Sequence, residues 1–178
     1  MTEADDVRTE LITIIGDEFN EAGITNTVVD PAPLEGGGYS PAQLLVPLGD
    51  GRSADAPVVQ IYFLPWLQNP PAVQYIVFLD HEIAESAGPD LARFVALLNS
   101  NLTVTGFEIN EQLGQVVFRH THAVTASVVD PGVIAWSLTM VRAAVEHFGP
   151  LVEYMAKGGA YDEAVEALGS AVDRLPTG

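Results

Sequence analysis

Apolar residues recur at helical spacing from the start of the chain. Val7, Leu11, Ile14, Ile15, Phe19 and Ala22 fall on one face, which predicts a helix from Thr2 or Glu3 to Ala22, stopped by Gly23. The period then changes. "ITNTVVD" (Ile24 to Asp30) is β-rich, and "QLLVPL" (Gln43 to Leu48) and "APVVQIYFLP" (Ala56 to Pro65) read as strands joined by the turn-rich "GDGRSAD" (Gly49 to Asp55). Between them, "PAPLEGGGYSP" (Pro31 to Pro41) reads as a loop rich in Pro and Gly, with "EGGGYS" (Glu35 to Ser40) within it as a flexible connection.

"PAVQYIVFLDHEIA" (Pro71 to Ala84) opens as a strand that is apolar on both faces from Tyr75 to Leu79. Such strands lie centrally in a sheet or at an oligomer interface. A second helix starts at Gly88-Pro89-Asp90, buries Leu91, Phe94, Val95 and Leu98, and ends at Asn99-Ser100-Asn101. "VTGFEINE" and "GQVVFRHTHAVTA" then form a hairpin across Gln112 to Gly114. Asp130-Pro131 caps and opens a long third helix. Its seam is Ile134, Leu138, Val141, Val145, Phe148, Val152 and Met155, and Pro150 is expected to kink or restart it. A last helix after Gly159 carries Tyr161, Val165, Leu168, Val172 and Leu175. Such seams pack the home core or a partner helix. The order predicts an α+β fold: a mostly antiparallel sheet with helices packed on it, in the order helix–strands–helix–hairpin–long helix, plus an extra C-terminal helix.

Composition narrows the function. With 48% apolar and 17% charged residues among 178, the chain can bury a sizeable core. Its apolar runs are too short to span a bilayer. The N-terminus "MTEADDVRTE" is acidic and has no apolar signal core, so a cytoplasmic location is expected. The absence of cysteine excludes disulfides, thiolate metal sites and thiol nucleophiles. Seven Lys plus Arg face 24 Asp plus Glu, for a net charge of −17. That field repels phosphate backbones and favours basic partners.

Candidate chemistry is sparse. His120 and His122 are two apart on a strand, so they share a face with Phe118 and Val124, and they could share a metal. A zinc site needs a third ligand, and neither His81, His147 nor any carboxylate stands at diagnostic spacing. The readings for the pair are hydrogen-bonded imidazoles at the sheet's end, the rim of a partner site, or a metal site. "DHEIAE" (Asp80 to Glu85) places Glu85 where a zincin has its second histidine. "EGGGYS" lacks both the Lys-Ser/Thr ending of a phosphate loop and the spacing of a dinucleotide fingerprint. In "FLPWLQNPP" (Phe63 to Pro71), Trp66 and Leu67 sit between prolines at a strand's end. They either fold back over the core or project as an apolar patch for a partner. We therefore take Phe63, Trp66, Leu67, His120 and His122 as candidate partner-binding residues, and assign no catalytic residue, metal or cofactor.

The segment "DLARFVALLNSNLTVTGFEINEQLGQVVFRHTHAV", followed by a long helix containing "FGPLVEYMAKGG", resembles the YbjN family. The resemblance is clearest from Pro89 to Gly159. It implies a fold shared with the small chaperones of type III secretion, frequent dimerisation, and a peptide-binding or chaperone-like role without catalysis. Two features depart from it: histidines in "RHTHAV" where an apolar run belongs, and the helix beyond Gly159. The expected organisation is a YbjN-like domain over 1–159 with an accessory helix over 160–178. The expected partner is a peptide or protein client of basic character, not a nucleic acid or a membrane, with the chain itself a homodimer. Two other classes stay open: an acidic immunity-type inhibitor of a basic protein, and a metal-dependent enzyme using His120 and His122.

Overall fold

The computed structural model describes residues 3–49, 56–68, 71–79, 82–102, 106–124 and 129–172. Along the chain these form α1 (Glu3–Glu21), β1 (Thr27–Val29), β2 (Ala32–Pro33), β3 (Tyr39–Ser40), β4 (Gln43–Pro47), β5 (Val58–Gln68) and β6 (Pro71–Phe78). There follow α2 (Gly88–Asn99), β7 (Phe107–Asn110), β8 (Gln115–Ala123), α3 (Pro131–Ala156) and α4 (Tyr161–Val172). Six strands make one antiparallel sheet in the order β1-β4-β5-β6-β8-β7. The predicted α+β class and element order hold. Two compact units divide the chain: Met1–Ile76 with His120–Thr139, and Val77–Arg119 with Met140–Gly178.

In the first unit α1 buries Ile12, Ile15 and Phe19 and leaves Val7 and Ile14 exposed, so it is turned away from the predicted face. Gly16 is the reason. A Cβ there would meet Val28 of β1 at 3.0 Å and Leu44 of β4 at 3.1 Å, so the helix seats on the sheet where its side is barest. The helix ends as predicted at Gly23, which takes φ 75° while Ile24 N donates to Phe19 O at 2.8 Å. Below α1, Val28 pairs with Leu44 and Leu44 with Ile61. Burial along β4 alternates, with Leu44 and Val46 inside.

Two loops of the sequence reading are strands. Pro31 to Pro41 is not loop throughout: β2 and β3 pair as Ala32 with Ser40 and Pro33 with Tyr39. The turn between them is closed by Leu34 N donating to Gly38 O at 3.1 Å, and Gly37 and Gly38 take the positive φ it needs. Likewise β5 does not stop at Pro65 but continues through Trp66 and Leu67 to Gln68. β6 is interior, as its doubly apolar pattern predicts, and Ala72 to Val77 are all buried. Its burial within one chain removes the need for an oligomer interface to cover it.

In the second unit α2 buries the predicted Leu91, Phe94, Val95 and Leu98. The β7–β8 hairpin pairs Phe107 with Phe118 and Asn110 with Gln115, around a turn with Gly114 at φ 64°. The Phe107 and Phe118 rings meet edge to face at 5.0 Å. At the end of α2, Asn99 clamps the start of β7: its Nδ2 donates to Phe107 O at 2.8 Å and its Oδ1 accepts from Phe107 N at 2.9 Å. α4 buries Ala164 and Leu168, and the Arg93 guanidinium lies 4.2 Å from the centre of the Tyr161 ring. Leu175 lies outside the described residues.

α3 begins where predicted, with Asp130 Oδ1 accepting from Gly132 N at 2.8 Å. All seven seam residues from Ile134 to Met155 are buried in the home core. Pro150 does not restart the helix, which is continuous across it. The proline sits on the exposed side, where water can hydrogen-bond the carbonyl that its missing amide leaves unmatched.

Candidate functional site

The sheet brings the two histidines against a tyrosine. Strand parity puts Phe118, His120 and His122 on one face of β8, and Val124 N donates to Pro71 O at 2.8 Å where β8 ends beside β6. The Tyr75 ring centre lies 5.6 Å from His120 and 5.7 Å from His122, and the two imidazoles are 5.6 Å apart. Tyr75 is fully buried, and its hydroxyl donates to Ile134 O in the first turns of α3 at 3.3 Å. Burial pushes this phenol up, and a hydrogen bond with Ser137 offsets part of the effect.

Both imidazoles are held below the ordinary histidine value. Burial is the main cause for each, and the charge of His122 acts further on His120. Both ring nitrogens of His122 are buried without a hydrogen-bond partner among the described residues, so this histidine departs from the hydrogen-bonded reading. The cluster therefore resists protonation. Because the folded pKa is depressed, the unfolded chain takes up protons first as pH falls below 6.5, and stability falls with it. His122→Phe keeps the ring against Tyr75 and removes the unpaired nitrogens. It should flatten the decline in melting temperature between about pH 6.5 and pH 5, and an unchanged slope would reject this account.

Among the described residues no group of three His, Asp or Glu could hold a metal. Asp80 and His81 of the zincin-like segment lie outside the described residues. His147 is engaged elsewhere, its Nε2 lying 3.0 Å from Ala171 O.

The other candidates separate by burial. Phe63 is 1% exposed and belongs to the core, because β5 still lies among paired strands there, so it is out of a partner's reach. Trp66 is 71% exposed and Leu67 43%, so neither folds back over the core.

Beside this strand end lies a cavity of about 260 Å³ that the sequence reading missed. Pro31, Tyr39, Pro41 and Pro65 form its apolar walls, and Arg8 and Asp5 of α1 line it too. Arg8 Nη1 donates to Asp5 Oδ1 at 3.1 Å and Nη2 to Pro65 O at 3.1 Å. One sign was available in the sequence: Arg8 is the only cation before Arg52, one turn ahead of Ile12. Its partners from β2, β3 and β5 could not be read from spacing.

A comparison with known families bears on this architecture. One family profile matches residues 61–153, just over half of the chain, from β5 into the last turns of α3. The chain belongs to the YbjN family. That family is described as a putative bacterial sensory transduction regulator. No curated protein and no solved structure matches the chain. The YbjN match starts well upstream of Pro89 and takes in Trp66, Leu67, Tyr75 and both histidines. It leaves out α1, and with it Arg8 and Asp5. At family level the role is regulatory. Among the described residues no helix is long and apolar enough to cross a membrane.

Proposed function

We propose that this YbjN protein is a non-enzymatic, chaperone-like adaptor that binds a peptide or protein segment at the end of β5. One observation carries the reading. Trp66 and Leu67 are consecutive on a strand and so point to opposite faces, yet both are exposed. The strand end thus offers an aromatic and an aliphatic side chain to a partner, and exposed tryptophan is the kind of anchor that carries much of an interface's binding energy. The net charge of −17 supports basic clients through long-range attraction. The reading includes a cytoplasmic location, a homodimer, and residues 1–159 as the working domain with α4 as an accessory.

The test is capture of partners from the source cell's lysate by tagged wild type and Trp66→Ala, followed by titration with each purified partner. Trp66→Ala should weaken binding at least about tenfold while changing stability by less than about 0.5 kcal/mol. Light scattering on the same samples reports whether the 19.0 kDa chain is doubled. Equal affinity of wild type and variant for every captured partner would move the binding surface elsewhere.

A further inference from the structure

The cavity beside Pro65 presents two opposite charges and apolar walls. We propose that it binds a free amino acid with an apolar side chain, recognised as a zwitterion. This inference is independent of peptide binding at Trp66 and can fail without it.

Arg8 supplies one half. Its side chain is only 13% exposed, an unusual place for a cation in so acidic a chain. A guanidinium carries five N–H donors, and two are used, one on Asp5 and one on Pro65 O. The remaining donors are available to a carboxylate. Asp5, 36% exposed, supplies the other half: a carboxylate has about four acceptor sites and can receive an ammonium alongside Arg8.

Charge selects among ligands. A simple acid would bring a second carboxylate beside Asp5 into a field of −17, and a simple amine would bring a second cation beside Arg8. An amino acid carries both charges one carbon apart, so it can lie head to tail against the Arg8–Asp5 pair at no net charge. Size and walls select further. The cavity of about 260 Å³ has room for one aliphatic amino acid. Pro31, Pro41 and Pro65 are rigid and apolar, and with the Tyr39 ring they suit a branched or cyclic hydrocarbon side chain.

The experiment is calorimetric titration of the full chain with L-leucine, L-valine and L-proline, alongside N-acetyl-L-leucine and L-leucine amide. At least one free amino acid should bind with a Kd of about 1 mM or tighter, and each blocked leucine should bind at least about tenfold more weakly than leucine. Arg8→Gln should abolish binding. Because Arg8 also ties α1 to Pro65, the second variant is Asp5→Asn at the more exposed partner. It should keep the fold and lose the preference for leucine over N-acetyl-L-leucine. Weakening by only one of the two blocks would indicate a single-charge site and overturn the zwitterion assignment. So would equal binding of blocked and free forms, or no heat from any of the three amino acids at about 10 mM.

Discussion

Gly106→Ala should destabilise the protein by about 3 kcal/mol. The cause is the Asn99 clamp. A Cβ on residue 106 would fall inside the Asn99 amide, which must swing away and release both of its hydrogen bonds to the Phe107 backbone. Each lost bond strands a donor or acceptor in a part-buried place, and the start of β7 loses its tie to α2. The clamp also couples the two positions. Asn99→Ala alone should cost about 2 kcal/mol, and Gly106→Ala in that background should cost less than about 1 kcal/mol. Denaturant melts of the four proteins complete the cycle. Additive costs would show that Asn99 is not what Gly106 makes room for.

The second large effect is expected at Tyr75. Tyr75→Ala should cost about 4 kcal/mol, since it empties the space of a fully buried ring between β6 and the first turns of α3. Tyr75→Phe keeps that volume and gives up only the hydroxyl's bonds to Ile134 and Ser137, at about 1 kcal/mol. At this chain length each kcal/mol moves the melting temperature by about 2–4 °C, so the two variants are easily told apart. A second readout separates packing from electrostatics. With the ring gone, water reaches His120 and His122 and the burial that depresses them is relieved, so their NMR titrations should move up towards 6.5. With phenylalanine in place they should stay low. A low titration in the alanine variant would mean that something other than the Tyr75 ring keeps the imidazoles dry.

Legibility in the sequence followed the range of the interactions. The α3 seam and the β7–β8 hairpin were readable because helical spacing and strand parity are local, and parity also placed Phe118, His120 and His122 on one face. The central position of β6 followed from its unbroken apolar run. The turned face of α1 did not, because the deciding residue is Gly16. A glycine carries no apolar weight in a periodicity count, yet it sets the closest approach to β1 and β4. Pro65 was misread in the opposite sense. Proline marks the end of a strand when its missing amide is needed, but here β5 continues past it and its carbonyl takes a bond from Arg8. The cavity was the least visible feature. Residues 5, 8, 31, 39, 41 and 65 come from α1, the β2–β3 segment and β5, far apart along the chain, and none carries a motif.

The strands at the two rims of the sheet are three and four residues long, while the eleven residues of β5 and the eight of β6 lie inside. Fibril growth recruits exposed apolar segments of about six or seven residues, and neither rim is long enough to serve as a template. The segment best suited to that misuse, Ala72 to Phe78, has a neighbour on each side that must first be stripped away. Concentrated solutions of the folded chain should therefore stay clear, and the rate of whole-chain opening, not the frequency of collisions, sets how fast they spoil.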